Sequence, residues 1–545
     1  MKRLLLIILP AAVLLGGCVG YSKAKIRGNT LALASTAEQR QLAAAQEKSA
    51  KNPLTRLGGY LDAADSARQR LARDPKNTLL RSDYNFAVAR VMDILYEAKL
   101  APWDKAVVAP SATGQAWRLT LAPPSKEKQF HPSLFEFRPS DRYDFSGKGV
   151  GERSLKEGLG APLVVAGREL DYAKLDQFAQ GKNVYYSFTA LVNFRGRNAD
   201  IVLADPLSRE SVVFDGRTYP LAGDFQGPLA LALDELDPGK KELAGLFKPQ
   251  KFGGRARLAR LQPYDPRKIP VICIHGLGNS PATWAPLVEF LRGDPVIREN
   301  YQVWFYAYPS GLPYPLAAAY LREQLAEARK RYPGMRDAVV IGHSMGGMIS
   351  RALITDSGSA LWDLYFDKPP RALSLSDKAR KMLGGMLLFK PVPGIDRVVF
   401  VSASHRGSHK AVDFWGRLGA AIVGSPVDDK EVYAEVIAQA RPEARTHSRK
   451  RLPNSIDLLD PDSLFLEKIN SLPTAAGIPY HSLIGDRGRG GFLDHTQPQS
   501  SDGIVPYWSS HMDGAKSELV IPSGHWSHLH PLGMSEIKRI LVEHL

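Results

Sequence analysis

Hydrophobic and polar positions follow helical spacing early in the chain and strand spacing after that. From residue 54 to residue 100, apolar residues recur every three or four positions, which predicts amphipathic helices. A break at 74–77, Asp-Pro-Lys-Asn, divides this stretch into a helical hairpin. From 117 to 236, β-rich runs alternate with turn residues. The pattern therefore predicts a helical region over 53–115 and a small antiparallel, β-rich accessory domain over 116–260.

Short apolar runs without polar interruption mark the second half of the chain. Residues 270–274 and 338–341 are apolar and mostly β-branched, which is typical of strands buried on both faces. Glycines and prolines cluster at 252–269, just before the first of these runs. A domain boundary is therefore expected there.

The second apolar run leads directly into Gly-His-Ser-Met-Gly, residues 342–346. A strand that turns sharply into a helix, with a serine on the turn, is a nucleophile elbow. Glycines at both ends allow the strand and the helix to cross closely. The first helical N–H groups then point at whatever the serine attacks. The motif predicts acyl transfer through Ser344.

The first apolar run ends in His275-Gly276-Leu277-Gly278. A glycine-rich turn at the end of a central strand lets a main-chain N–H face the site. The N–H groups of Leu277 and Met345 are therefore predicted to form an oxyanion hole. The alternative is a tight turn without a catalytic role, and His275 itself is interpreted as structural.

Two aspartates are candidates for the acid that orients the base. Asp486 follows the strand-like run 480–485, and Asp502 stands in Ser-Asp-Gly shortly before Val505-Pro506. Asp502 is preferred, because Asp486 would need the arginine-rich loop that follows it to fold away from the histidine. Either aspartate could instead only stabilise a turn, since Asp-Gly is a common turn pair.

The base is expected late in the chain, because the triad of such enzymes follows the order Ser, Asp or Glu, His. A strand-like run at 519–521 leads through Gly524 to His525, and a helix is predicted from about Ser535. His525 is preferred as the base and His528 is the alternative. His530 is interpreted as a surface or capping residue.

These motifs together resemble the α/β hydrolase superfamily. Within it, they are similar to the lipase and esterase branch that includes the PGAP-type, inositol-deacylase-like hydrolases. The residues that carry the resemblance are His275-Gly276, Gly342-His343-Ser344-Met345-Gly346, Ser501-Asp502-Gly503 and Gly524-His525. The resemblance covers about half of the chain, residues 262–545, and the stretch from Tyr264 to Arg351 carries most of it. It leaves the first half unassigned.

The resemblance implies an α/β-hydrolase fold over 261–545, a mostly parallel sheet flanked by helices and carrying a triad of Ser344, His525 and Asp502. The helical hairpin and the β-rich domain would precede it. Inside this domain, the stretches 355–393 and 411–473 exceed ordinary loop length, and loops this long are usually functional. We interpret them as cap insertions over Ser344. In the second, the apolar residues Phe414, Trp415 and Leu418 would shape an acyl pocket.

The extreme amino terminus carries a second informative motif. Basic residues precede an apolar stretch, 4–15, that is too short for a stable membrane-spanning anchor. Leu-Gly-Gly-Cys at 15–18 resembles a bacterial lipobox. The interpretation is a signal peptide over 1–17, acyl chains such as palmitate on Cys18, and a tether over 18–52. Several acyl chains on one residue anchor a protein stably. The alternative is an ordinary signal peptide with an incidental cysteine.

The residue after Cys18 and the net charge of the chain bear on where the protein is located and what it contacts. The residue after the cysteine is Val19 rather than aspartate, which favours the outer membrane of a bacterial envelope. There are 71 Lys+Arg against 56 Asp+Glu, a net charge of +15, which fits an anionic lipid surface, acidic substrates or simply a basic surface. No run interleaves basic and aromatic residues densely enough for nucleic-acid binding. The other cysteine, Cys273, is expected to be a buried, inert thiol.

The sequence therefore predicts a membrane-anchored serine hydrolase that cleaves carboxylic esters, acyl or lipid esters above all, through an acyl-enzyme. There are two alternatives: an acyltransferase with the same triad, and a non-catalytic envelope scaffold with the same fold. No cofactor is expected, and no convincing set of metal ligands is present in the sequence. Protein partners are not predicted.

Overall fold

The computed structural model describes residues 22–26, 52–123, 132, 135–147, 155–167, 177–179, 184–236, 256–413, 430–446, 453–488 and 501–545. Two compact units result. The amino-terminal unit comprises Val19–Leu236 and Arg292–Glu299, and the carboxy-terminal unit comprises Asp237–Leu291 and Asn300–Leu545. Cys18 and the predicted signal peptide lie outside the described residues.

The predicted helical hairpin is present in the amino-terminal unit. It consists of α1 (Pro53–Leu71) and α2 (Thr78–Glu97). An asparagine precedes each helix, and its side chain accepts a hydrogen bond from an amide of the first turn, Leu54 N at 2.9 Å for Asn52 and Leu80 N at 3.1 Å for Asn77. These two caps fix where both helices begin.

Besides the segment Arg292–Glu299, the described residues of this unit contain twelve short strands and a third helix. They are β1 (Lys23–Ile26), β2 (Val107–Ala109), β3 (Trp117–Leu121), β4 (Phe135–Pro139), β5 (Tyr143–Ser146), β6 (Leu155–Lys156), β7 (Ala161–Gly167), β8 (Tyr185–Arg195), β9 (Asn198–Ala204), β10 (Ser211–Phe214), β11 (Arg217–Pro220), β12 (Gly223–Asp224) and α3 (Gly227–Leu236). Six of the strands form one sheet in the order β2-β3-β9-β8-β7-β4.

The sheet is mixed rather than purely antiparallel. The pair β3 and β9 runs parallel, and the chain between the two strands is long enough for the crossover that a parallel pair requires. A tight turn joins β8 and β9, and Gly196 occupies it with φ of +59°.

The helical hairpin and the sheet share one hydrophobic core, which corrects the predicted division at residue 115. The Tyr84 hydroxyl in α2 donates to Val192 O at 3.0 Å and accepts from Val192 N at 2.9 Å, inside β8. Two helices alone cannot bury their apolar faces, so 53–115 and 116–236 fold as parts of one unit.

The carboxy-terminal half alternates strands and helices. Its strands are β13 (Arg257–Arg260), β14 (Ile269–Ile274), β15 (Tyr301–Ala307), β16 (Ala338–His343), β17 (Ile395–Val401), β18 (Tyr480–Gly485) and β19 (Ser517–Ile521). Its helices are α4 (Ala285–Gly293), α5 (Pro295–Asn300), α6 (Tyr314–Arg331), α7 (Met345–Leu353), α8 (Asp377–Leu387), α9 (Lys430–Gln439), α10 (Pro442–Thr446), α11 (Leu464–Ser471), α12 (Tyr507–Ser510) and α13 (Pro531–His544). Of the helices in the described ranges, none has the length and apolarity to cross a membrane.

All seven strands form one sheet in the order β13-β15-β14-β16-β17-β18-β19. Every neighbouring pair is parallel except β13 and β15. This is the mostly parallel, helix-flanked sheet of the predicted α/β-hydrolase fold, which is confirmed. The strand β13 falls inside the predicted accessory domain, 116–260, yet it extends this sheet at its edge. The boundary between the units therefore lies before β13.

Both predicted cap insertions contain helices, and an apolar cavity of about 350 Å³ lies between them. The first insertion contributes α8, and the second contributes α9 and α11. Apolar side chains from both line the cavity, among them Tyr365, Phe366, Met382, Leu383, Val436, Ile437 and Phe465. Among the described residues, Ser344, Asp502 and His525 do not line it. The residues Phe414, Trp415 and Leu418, predicted to shape an acyl pocket, lie outside the described residues.

Candidate active site

Ser344 stands on a strained turn between β16 and α7. Its φ of +54° and ψ of −122° lie in a region that residues other than glycine rarely adopt. Such a conformation costs on the order of 1–3 kcal/mol and persists only when its surroundings enforce it. Here the Ser344 N–H donates to Val401 O in β17 at 2.9 Å, and the Ser344 carbonyl accepts from Gly347 N at 2.8 Å. These two bonds stabilise the turn.

The glycines on either side of Ser344 are required by close approach. A Cβ on Gly346 would lie 2.2 Å from Ile274 O, and one on Gly342 would lie 2.3 Å from Ser350 Oγ. Neither distance is possible for a real side chain, so the strand and the helix cross as closely as the sequence predicts.

The predicted oxyanion loop lies against the serine. A Cβ on Gly276 would come within 2.9 Å of Ser344 Cβ, which places the chain between β14 and Leu277 beside the nucleophile. Within the described ranges, neither the Leu277 amide nor the Met345 amide donates to a main-chain acceptor. Both donors are thus available to an oxygen atom bound at the serine.

His275 supports this loop. Its ring stacks on Tyr308 with centroids 4.3 Å apart, and the Tyr308 hydroxyl donates to His275 O at 2.7 Å. Burial lowers the pKa of His275 to about 4, so the ring is neutral at physiological pH. Gly278 N donates to Ser310 Oγ at 3.0 Å and holds the far end of the loop. These contacts agree with the structural role predicted for His275.

The structure brings Asp502 and His525 together. His525 Nδ1 lies 2.7 Å from Asp502 Oδ2, and both side chains are buried. The other carboxylate oxygen, Oδ1, accepts from Ile504 N at 2.8 Å and Val505 N at 2.7 Å. Asp502 therefore stabilises a turn with one oxygen and holds the imidazole with the other. Because a carboxylate can only accept, the Nδ1 atom of His525 carries the proton, and Nε2 is left as an acceptor.

The two alternative residues have other partners. Asp486 is buried at the end of β18, where its Oδ1 accepts from Gly488 N at 2.7 Å. His528 is also buried, with Nε2 3.3 Å from Thr283 Oγ1 and its ring centroid 4.6 Å from that of Trp284. Burial lowers the pKa of His528 to about 3. The contacts therefore favour Asp502 and His525 over Asp486 and His528.

Within the described residues, no hydrogen bond joins the Ser344 hydroxyl to the His525 ring. Catalytic hydrogen bonds of this kind are often long before substrate binds. The serine and the histidine are instead linked through His343, whose Nε2 lies 2.8 Å from His525 O. Sequence reasoning missed this contact, and the only signal for it is a histidine directly before the serine.

The remaining predicted residues have the following places. His530 precedes α13 and its Nδ1 accepts from Leu532 N at 3.3 Å, so it is the predicted capping residue. Cys273 is buried inside β14, where burial raises the pKa of its thiol far above the ordinary value. Searching the described residues finds no group of three or more His, Cys, Asp or Glu side chains that could hold a metal ion.

Comparisons with known proteins agree with the fold. Residues 271–537 match the model of a family described as the alpha/beta hydrolase family. A lipase of Bacillus licheniformis, BlEst2 in its mature form, is 15% identical over 52% of this chain and 97% of its own, with a TM-score of 0.31. EstA from Clostridium botulinum is 13% identical over 50% of this chain and 86% of its own, with a TM-score of 0.31.

A lipase-esterase related protein from Clostridium acetobutylicum is 12% identical over 53% of this chain and 99% of its own, with a TM-score of 0.25. A comparison with curated proteins found no match. The family match covers the elbow, the oxyanion loop and the acid–base pair. Through residues 271–537, just under half of its length, the chain is similar to the alpha/beta hydrolase family.

Proposed function

We propose that the protein hydrolyses carboxylic esters through a covalent acyl-enzyme on Ser344. The observation that carries the proposal is the buried contact of 2.7 Å between Asp502 and His525, next to a serine held on a strained elbow. An acid, a base and a nucleophile in this chain order are the parts that serine hydrolysis needs.

In the proposed reaction, His525 Nε2 removes the Ser344 hydroxyl proton while Oγ attacks the ester carbonyl. The carbonyl oxygen gains negative charge and is stabilised by the Leu277 and Met345 amides. His525 then donates the proton to the departing alcohol, which leaves an acyl group on Ser344. Water, activated by the same histidine, releases the carboxylic acid. Asp502 stabilises the imidazolium and keeps its orientation throughout.

The test is covalent labelling of the purified protein by a fluorophosphonate, followed by hydrolysis assays on acyl esters of increasing chain length. Ser344→Ala should lose labelling and lower kcat by several powers of ten. Ser404→Ala is the matched control, because Ser404 is also buried at the end of a parallel strand but lies outside the proposed machinery. Labelling that survives Ser344→Ala would place the nucleophile elsewhere. Product analysis with added alcohols separates hydrolysis from acyl transfer.

A lipid anchor on Cys18 is the second part of the proposal, with the bacterial outer membrane as the location. It is supported by the sequence Leu-Gly-Gly-Cys after a short apolar stretch. Anchoring would raise the effective concentration of a lipid substrate without changing the chemistry. A membrane lipid ester is thus the substrate class we favour.

The anchor is tested by metabolic labelling with a fatty-acid probe and membrane fractionation. Cys18→Ser should lose the probe and leave turnover of a dissolved ester nearly unchanged. Cys273→Ser is the control, since it removes the other cysteine and should keep the probe. Wild-type protein that takes up no probe and fractionates away from membranes would refute the anchor.

A further inference from the structure

Three histidine rings cluster behind the elbow. The ring centroid of His343 lies 4.8 Å from that of His525 and 4.6 Å from that of His528. All three side chains are buried. Only His525 has a role in the proposed mechanism, so the function of the other two rings is open.

One hydrogen bond in this cluster has a defined direction. His343 Nε2 lies 2.8 Å from the main-chain carbonyl oxygen of His525. A carbonyl can only accept, so Nε2 must carry the proton and donate it. The bond therefore fixes the tautomer of His343.

His343 is also neutral. Burial lowers its pKa well below the ordinary value, and the neighbouring histidines lower it further. The titratable groups that act on it are His528, His525 and His275. A neutral ring in this place adds no positive charge that would oppose the imidazolium formed on His525 during the reaction.

His343 holds the base at a point different from the one Asp502 holds. Asp502 contacts the Nδ1 atom of the His525 ring, and His343 contacts the main chain of the same residue. Two points of contact define the direction of an imidazole better than one, because rotation about a single hydrogen bond remains possible. The two contacts together thereby fix the direction in which the Nε2 atom of His525 points.

His343 is also the residue directly before the nucleophile. The Ser344 N–H is bound to Val401 O, so the main chain of the elbow is fixed relative to the sheet. A side chain that extends from this fixed segment to the carbonyl of His525 joins the nucleophile and the base directly.

We propose that His343 is a positioning residue: its Nε2–H, bonded to the main-chain carbonyl of His525, sets the spacing between the Ser344 hydroxyl and the His525 imidazole. This inference rests on the proposed function of Ser344 and His525. A histidine that served only to fill space would act through its volume, whereas the inference requires its N–H group. The two roles are separable by substitution.

Three substitutions of His343 distinguish a role of its N–H donor from a role of its volume. Methionine has similar length and no donor, and it adapts well to buried sites. Glutamine keeps an N–H donor at about the position of Nε2, and asparagine withdraws it because its side chain is shorter. The control is His405→Met, since His405 is a fully buried histidine in the turn that follows β17, outside the proposed machinery.

The measurements are kcat and KM on a dissolved ester across the pH range, with thermal unfolding of each variant. His343→Met should lower kcat about 10- to 100-fold with little change in KM, because misplacement of about 1 Å at a reacting group costs about this much. His343→Gln should recover most of kcat.

The outcomes are distinct. If Ser344→Ala keeps full turnover, the proposed function itself fails. If Ser344→Ala is inactive but His343→Met matches His405→Met in kcat, only the positioning role is overturned. A glutamine variant as impaired as the methionine variant also overturns it, because the donor would then be irrelevant. If His343→Met does not fold, the kcat of His343→Gln is compared with that of His343→Asn instead, because only glutamine keeps the donor near the position of Nε2.

Discussion

Replacing Asp502 with asparagine is the sharpest test of the acid–base pair. The Oδ1 atom of Asp502 accepts from Ile504 N and Val505 N, and Oδ2 faces His525 Nδ1 at 2.7 Å. Asparagine can keep the two amide contacts only by turning its carbonyl oxygen toward them. Its NH₂ group then faces Nδ1 and becomes a donor where an acceptor is needed.

The consequence is the wrong tautomer of His525. Nδ1 must now accept, so the proton moves to Nε2, the atom that should receive the proton of Ser344. Loss of the correct tautomer in a triad lowers kcat by about 10⁴. At about 1.36 kcal/mol for each power of ten, this is roughly 5 kcal/mol of activation free energy. The fold should persist, because the substituted side chain keeps its volume and its turn.

The assay is steady-state hydrolysis of a chromogenic ester at neutral pH, with fluorophosphonate labelling rates as a second readout. Asp486→Asn is the matched control, since Asp486 is equally buried and also accepts a main-chain hydrogen bond, from Gly488. It should change kcat less than about tenfold. A larger loss for Asp486→Asn than for Asp502→Asn would refute the assignment of the acid.

The remaining predictions concern the base, the elbow and the amino-terminal core. His525→Ala should abolish ester turnover, whereas His528→Ala should lower thermal stability and keep measurable kcat; the reverse ranking would move the base. Gly346→Ala should lower the midpoint of thermal unfolding by several degrees, because its methyl group would lie 2.2 Å from Ile274 O; an unchanged midpoint would contradict the close crossing. Tyr84→Phe should lower the free energy of unfolding by about 1–3 kcal/mol in denaturant titration, because it leaves the N–H and C=O of a buried residue in β8 unpaired; a change near zero would show that other partners satisfy both groups.

Local features were predictable from the sequence because neighbouring residues determine them. The elbow is one example: Gly342, Ser344 and Gly346 lie within five positions, and the strain at the serine follows from the turn between two elements. The capping asparagines of α1 and α2 and the turn at Gly196 are of the same kind. Short-range chemistry decides each of them.

Features that depend on distant pairing could not be predicted. Nothing in the sequence of β13 shows that it pairs with β15 rather than with the strands before it. The Tyr84 hydroxyl inside β8 joins residues 108 positions apart, and it is one reason the hairpin and the sheet form a single unit. Burial of a shared core, rather than local propensity, decided both outcomes.

The choice between Asp486 and Asp502 shows where sequence reasoning ends. Both aspartates follow β18, both are buried and both accept main-chain hydrogen bonds, so residue type and local turn chemistry do not separate them. What separates them is His525, which reaches the site from the end of β19, the strand parallel to β18 at the sheet edge. Asp486 lies directly at the strand end, where its Oδ1 is taken by Gly488 N. Asp502 lies between β18 and β19 in the sequence, and its Oδ2 atom contacts the imidazole of His525. The preference for Asp502 as the acid therefore rests on the contact between residues that follow two neighbouring strands, which residue type and local turn chemistry do not specify.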